Sequence, residues 1–196
     1  RAREERLLRW LGKHEPDVLC LQELKVTDEA FPHLSLRALG YHAAVHGQRT
    51  YNGVAVLSRA EPAEVERGFG DGGDDEQARL VAARVGPVHV VSAYVPNGQE
   101  VGSEKWAYKV EWLKRLRAWL DRRFTKADLV ALCGDFNVRR HAVPGFSEPI
   151  DAVDQVLVRG FDLERGPEPW PVERRRSNGL VLSDHAPVEA VIASIS

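Results

Sequence analysis

Leu129-Val130-Ala131-Leu132-Cys133-Gly134-Asp135-Phe136-Asn137 runs from five apolar residues into a glycine, an acid, an aromatic and an amide. The apolar part reads as a buried strand. Side chains alternate along a strand, so residues two apart share a face. Carried past Gly134, that geometry points Asp135 and Asn137 the same way, at the open end of a sheet. Gly134 has no side chain and lets another molecule approach the backbone closely. Two further acidic clusters sit at similar strand edges, Leu21-Gln22-Glu23-Leu24-Lys25 and Ser183-Asp184-His185-Ala186-Pro187.

Working outward, residues 4–14 read as a helix with Leu7, Leu8 and Leu11 on one face, stopped by Pro16. Val18-Leu19-Cys20-Leu21 reads as a short buried strand ending at Gln22-Glu23. A short helix or turn is expected over 28–38, and strands over 41–45, 53–58, 78–85 and 88–94. Gly86-Pro87 between the last two predicts an antiparallel pair. The Gly- and Asp-rich stretch at 68–75 reads as a polar connection: no strand-to-helix context supports a dinucleotide loop, and no alternating ligands support a calcium loop. The longest helix is expected over 103–124, with Trp106, Val110, Leu113, Leu116, Leu120 and Phe124 at helical spacing and Ser103 as N-cap. Strands are expected again at 152–158 and 188–195. Strands and helices mix throughout without a repeat or a clean boundary, which points to one layered α/β or α+β domain over 1–196.

Apolar residues make up 43% of the 196, enough for a substantial core. No apolar stretch approaches the roughly 20 residues that cross a membrane. The opening Arg1-Ala2-Arg3-Glu4-Glu5-Arg6 is charged and helix-prone, unlike a signal peptide. Cys20 and Cys133 each lie in an apolar run and read as buried reduced thiols. Together these features predict a soluble, cytoplasmic protein; a monomer is the separate expectation. The chain opens on Arg1 and holds no Met, which reads as a fragment or a sequence missing its natural start. The net charge of -2 is not that of a protein that wraps nucleic acid by charge alone. It leaves room for an enzyme whose acids gather at a cation, with basic patches such as Arg139-Arg140-His141 and Arg174-Arg175-Arg176 elsewhere.

The three acidic clusters have the groups that phosphodiester hydrolysis requires. A divalent cation must offset charge on the leaving oxygen, and magnesium takes a few carboxylates and keeps several waters. Glu23 and Asp184 can supply carboxylates to the metal, and Asp135 can orient or deprotonate water. Asn137 can bond the water or a phosphate oxygen. Tyr94 and His185 can donate to the phosphate, and Asp154 can fix the tautomer of His185. Singly, each has an ordinary structural reading: Glu23 as a strand-end acid, Tyr94 as a core-edge aromatic, His185 as a surface histidine. Asp154, inside an apolar strand, needs a partner to be buried at all.

As a set, the motifs resemble the exonuclease III-type abasic-site endonucleases of the endonuclease/exonuclease/phosphatase superfamily. The resemblance rests on residues 16–25, Tyr51-Asn52-Gly53-Val54-Ala55-Val56-Leu57-Ser58, Gln77-Ala78-Arg79-Leu80, Tyr94-Val95-Pro96-Asn97-Gly98, residues 103–109, Gly134-Asp135-Phe136-Asn137-Val138 and residues 183–188, in the expected order. It implies an α/β (α+β) fold, a four-layer sandwich of two packed mixed β-sheets flanked by helices. It implies Mg2+, with Mn2+ able to replace it, and incision of duplex DNA 5′ of abasic sites, with 3′-5′ exonuclease and 3′-phosphatase activity at 3′ ends. Carried onto this chain, it makes Glu23, Asp135, Asn137 and Asp184 the metal site. Tyr94, Asp135, Asn137, Asp154 and His185 become the catalytic group, and Asn97 and His185 the DNA contacts.

Three departures keep alternatives open. The usual first strand, ending near Asn-Val-Asn, is lacking. The stretch 139–151 is shorter than the family's pocket-shaping segment. Val153-Asp154-Gln155-Val156 stands where Ile-Asp-His or Ile-Asp-Tyr is expected, and 160–182 matches poorly, with Trp170 a packing residue or a replacement pocket aromatic. The alternatives are a phosphoesterase acting on RNA, a nucleotide or a small phosphoester, and a truncated, inactive DNA-binding form.

Overall fold

The computed structural model describes residues 2–73, 77–137, 146–147, 150–152, 154–160, 163–169, 171, 176–177, 180–181 and 188–192. The chain divides into two compact units, Arg1–Tyr94 and Val95–Ser196.

The first unit begins with α1 (Ala2–His14), which carries Glu4 and Glu5 in its first turn and Lys13 and His14 in its last, as the helix dipole favours. Strands β1 (Val18–Gln22), β2 (His42–His46) and β3 (Val54–Ser58) pair antiparallel in the order β1-β3-β2. All five residues of β3 are buried, which is why its sequence is apolar throughout rather than alternating. Ala55 and Leu57 join Leu11, Phe31, Leu36, Tyr41 and Val45 in one core cluster, with Leu7, Leu8, Leu19 and Leu21 packed against it. Alternation turns Val54 and Val56 to the opposite face, on the side of β5 (Leu80–Val85) and β6 (Val88–Tyr94), which β3 contacts. Each such large side chain contributes about 1.5–3 kcal/mol on burial, before entropy. Strand β4 (Ala63–Arg67) pairs with β5, and β5 with β6, both antiparallel. The β5–β6 hairpin closes at Val85↔Val88 through Gly86, as the Gly-Pro signal predicts.

In the second unit, α3 (Glu104–Arg123) follows α2 (His33–Ala38) in chain order and starts where predicted. The Ser103 hydroxyl accepts the Trp106 N–H at 3.1 Å, satisfying one of the helix's open donors. Strands β7 (Leu129–Asp135) and β8 (Asp154–Arg159) pair antiparallel, with Asp135 opposite Asp154. β9 (Leu163–Pro169) pairs with β12 (Val188–Ile192), and β10 (Arg176–Ser177) with β11 (Leu180–Val181).

Several expectations need correction. β1 is half-buried along its whole length, because it pairs on one side only, at the edge of its three-stranded sheet among the described residues. Cys20 on β1 is accordingly half-buried, not buried, and so is Cys133 on β7. β4 and β9 were not expected. Leu116, Leu120 and Phe124 of the expected α3 stripe are buried, but Trp106, Val110 and Leu113 are half-buried, and Lys109, Trp112 and Trp119 complete the buried face. The extended geometry ends at Asp135: Asn137 has φ +53, so simple alternation does not carry it to Asp135's face.

Candidate active site

Glu23 follows β1 with φ +54, a left-handed conformation that few side-chain residues adopt. Its neighbours hold it there. The N–H groups of Leu24 and Lys25 donate to the carbonyls of Gly53 and Asn52, at 3.2 and 3.1 Å. Gly53 itself sits at φ +85, and a Cβ on it would come within 2.9 Å of Leu24 Cβ. The Tyr51-Asn52-Gly53 turn thus has a packing reason for its glycine. Glu23 Oε1 accepts the Tyr94 hydroxyl at 2.5 Å, and Oε2 pairs with Lys25 Nζ at 3.0 Å. The Tyr94 hydrogen bond is the largest cause that holds the Glu23 carboxyl below the ordinary glutamate value; burial comes next and opposes it, and Lys25 adds a further lowering. A tyrosine has one hydroxyl hydrogen, and here it goes to Glu23.

Tyr94 is itself clamped. Its N–H donates to the Arg79 carbonyl at 2.8 Å, and Arg79 Nη1 donates back to the Tyr94 carbonyl at 3.1 Å. The Arg79 guanidinium lies 4.8 Å from the centre of the Tyr94 ring, and its Nε donates to Gln77 Oε1 at 2.6 Å. Nothing in the sequence reading gave Arg79 or Lys25 a role. Arg79's position immediately before β5, in Gln77-Ala78-Arg79-Leu80, was the available signal.

Removing the tyrosine hydroxyl tests this arrangement. In the metal-free protein, Tyr94→Phe is expected to raise the Glu23 pKa toward the ordinary glutamate value, read by carboxyl NMR titration. Because the folded-state value is depressed, Glu23 favours the folded state above the unfolded pKa. That contribution is lost as pH falls through the lower folded value. The variant should therefore lose less stability to acid than the wild type. An unmoved Glu23 titration would mean that the hydroxyl does not govern the carboxylate.

In the second unit, Asp135 ends β7 and is 6% exposed. Gly134 before it carries φ +147, which a residue with a Cβ tolerates poorly. Asp135 Oδ1 accepts the Asn137 N–H at 2.8 Å, and the Asp135 carbonyl accepts the Val95 N–H at 2.9 Å. Asn137 Nδ2 donates to the Val95 carbonyl at 2.8 Å, so the carboxamide oxygen is the acceptor it can present. Lys109, 1% exposed, reaches from α3 to donate to the carbonyls of Phe136 at 2.9 Å and Asn137 at 3.3 Å. Burial pushes its ammonium below the ordinary lysine value, and the charge of Asp135 acts the other way. Asp154 stands opposite Asp135 in the β7–β8 register and shares its face. Gln155 points to the other face. It is buried and bonds both the N–H and the carbonyl of Ile150, so the unusual Asp-Gln pair serves the loop before β8. Asn97 is exposed, and its Oδ1 accepts the Gln99 N–H at 3.0 Å.

The structure therefore joins Glu23 to Tyr94 in one unit, and Asp135 to Asn137 in the other with Asp154 opposite. Asp184, His185 and Trp170 lie outside the described residues. Among the described residues no three His, Cys, Asp or Glu side chains form a metal cluster. The donors read for the site are carboxylates and a carboxamide oxygen, hard ligands that fit Mg2+ in kind.

Residues 1–185 match the Endonuclease/Exonuclease/phosphatase family, and the chain belongs to that family. It is 36% identical over 143 residues to Exodeoxyribonuclease III of Haemophilus influenzae, covering 70% of this chain and 54% of that protein. It is 34% identical over 141 residues to DNA repair nuclease APEX1 of Danio rerio, covering 69% and 44%. The chain thus spans about half the length of the curated relatives it matches. Among solved structures it superposes on the 3′ phosphatase NExo from Neisseria, bound to product DNA hairpin, with a TM-score of 0.84 and 26% identity. That match covers 98% of this chain and 95% of the other. The fold class is that family's α/β sandwich, as the sequence resemblance implied.

Proposed function

We propose that this chain is a metal-dependent nuclease of DNA repair that incises duplex DNA 5′ of abasic sites, with 3′-5′ exonuclease and 3′-phosphatase activity. The observation that carries this reading is the turn after β7, in which buried Asp135 and half-buried Asn137 are fastened together by a hydrogen bond, in a family whose relatives include named DNA-repair nucleases. Mg2+ is the proposed cofactor, with Mn2+ able to replace it. Glu23, Asp135, Asn137 and Asp184 are the residues that would hold it. When bound, it supplies charge neutralisation at the scissile phosphate.

The chain's own residues do the rest. Asp135 accepts a proton from the attacking water and aims it, and the Asn137 carboxamide oxygen helps hold that water. Tyr94 orients the Glu23 carboxylate through its hydroxyl, and can turn that donor to the phosphate once the carboxylate is otherwise engaged. His185 donates to the phosphate with Asp154 as its carboxylate partner, and Asn97 contacts the DNA backbone. The partner is duplex DNA carrying abasic sites or 3′ ends, met by a monomer in the cytoplasm. No described helix is long and apolar enough to cross a membrane.

The test is incision of an end-labelled duplex with one abasic site. Nicking on the 5′ side is expected with Mg2+, lost in EDTA and recovered with excess Mg2+ or Mn2+. Turnover that persists in EDTA overturns the metal dependence. Faster turnover of RNA, a nucleotide or a small phosphoester than of the abasic duplex overturns the substrate assignment, in line with the short stretch at 139–151.

A further inference from the structure

We infer that Lys109 is a positioning residue of the nuclease site: its buried ammonium grips the carbonyls of Phe136 and Asn137 and so fixes the turn that presents Asp135 and Asn137. This deepens the proposed function and rests on it.

Lysine is among the residues least often buried, and an ammonium out of water needs donors' partners in place. Here it is 1% exposed, and two backbone carbonyls of the same turn accept from it. Its place in α3 makes the reach possible. Lys109 lies three residues before Trp112 and seven before Leu116, both on the helix's buried face. Its stem is enclosed as well: a Cβ added to Gly98 would meet Lys109 Cδ at 2.9 Å and the Trp106 ring at 2.8 Å. The head group is therefore held from the helix side and delivered to one place.

The turn needs such a hold. Asn137 sits at φ +53, a conformation that persists when surrounding contacts over-determine it. Other bonds among the described residues act on it too: the Asn137 N–H to Asp135 Oδ1, the Asn137 carboxamide to the Val95 carbonyl, and the Val95 N–H to the Asp135 carbonyl. Lys109 adds a grip on the carbonyls of Phe136 and Asn137 from helix α3. It also brings positive charge near Asp135, which faces Asp154 across the β7–β8 pair. A purely apolar residue could fill the same space and would supply neither the two donors nor the charge.

Lys109→Met keeps the stem and removes the ammonium. With abasic duplex and Mg2+, kcat is expected to fall about 100-fold, the cost of a misplacement near 1 Å, while KM stays within about threefold. Lys109→Arg, which keeps charge and donors, should regain about tenfold or more of the loss. Independently of activity, hydrogen exchange of the Asn137 N–H should speed up about tenfold or more in Lys109→Met, with the Leu132 amide in β7 unchanged. Wild-type kcat, or an unchanged Asn137 exchange rate, in a folded Lys109→Met overturns the inference. Should that variant not fold, Lys109→Gln is read instead. A glutamine variant with wild-type kcat overturns it, and so does one that also unfolds, since the residue then supports the whole fold rather than the turn. If the wild type itself incises no abasic DNA, the nuclease reading fails, while the exchange measurement still decides the role of Lys109 in the turn.

Discussion

Asp135→Asn is expected to lower kcat for abasic-site incision by about 10²–10⁴-fold, the range for losing a positioned general base, while the protein stays folded. The substitution keeps the size and one acceptor oxygen, so the bond from the Asn137 N–H at 2.8 Å can persist. What disappears is the negative charge and the ability to take a proton. KM should change little, because the lost interaction acts on the attacking water rather than on bound DNA. Two effects on stability oppose each other. The variant relieves the like-charge pairing with Asp154 across β7 and β8, and it removes the favourable charge that Lys109 feels. The far-ultraviolet circular dichroism spectrum should therefore match the wild type. The measurement is a single-turnover incision series with excess enzyme. An Asp135→Asn protein within tenfold of the wild-type rate would remove Asp135 from the chemistry and with it the proposed mechanism.

The elements that were legible in the sequence are those in which burial dictates composition. β3 and β7 are apolar runs because they are covered on both faces or nearly so. The β5–β6 hairpin announced itself by its turn, and α3 by its N-cap. β4 was illegible because Ala63-Glu64-Val65-Glu66-Arg67 is a polar, irregular strand that exists by pairing with β5. β9 was hidden by Gly166, Pro167 and Pro169, breakers that its pairing with β12 tolerates. The face of α3 was read correctly at Leu116, Leu120 and Phe124 and missed at Lys109, Trp112 and Trp119. A pattern search seeks apolar residues and passes over Lys109, whose charge is answered by backbone carbonyls.

The site divides along the same line. That Glu23 and Asp135 matter could be seen from acids closing apolar runs. That Tyr94 would meet Glu23 could not, since 71 positions separate them and only the family resemblance linked them. Alternation failed at Asn137 because the chain leaves extended geometry there, and its side chain is brought to bear by hydrogen bonds that no period encodes. Lys25, Arg79 and Lys109 were missed together. Each is a cation that holds a functional residue rather than acting itself, and composition treats such residues as surface charge.

Phe136 lies between the two polar residues of the turn and is 0% exposed, so its ring anchors what Asp135 and Asn137 present. Phe136→Ala is expected to cost about 3–5 kcal/mol, the combined loss of transfer energy and of the cavity left behind. Against a total stability of about 5–15 kcal/mol for a domain, that is enough to move the urea midpoint well to the left with the slope unchanged. The effect on turnover should exceed what the folded fraction explains. The Phe136 carbonyl is one of the two acceptors of Lys109, and a backbone freed of its ring can drift away from that ammonium and carry Asp135 with it. Asp135→Asn and Phe136→Ala thus separate two causes of inactivity at neighbouring positions: the first loses rate at full stability, the second loses both. A Phe136→Ala protein with the wild-type urea midpoint would show that the ring is not part of the core. One with the wild-type kcat per folded molecule would show that the turn holds its shape without it.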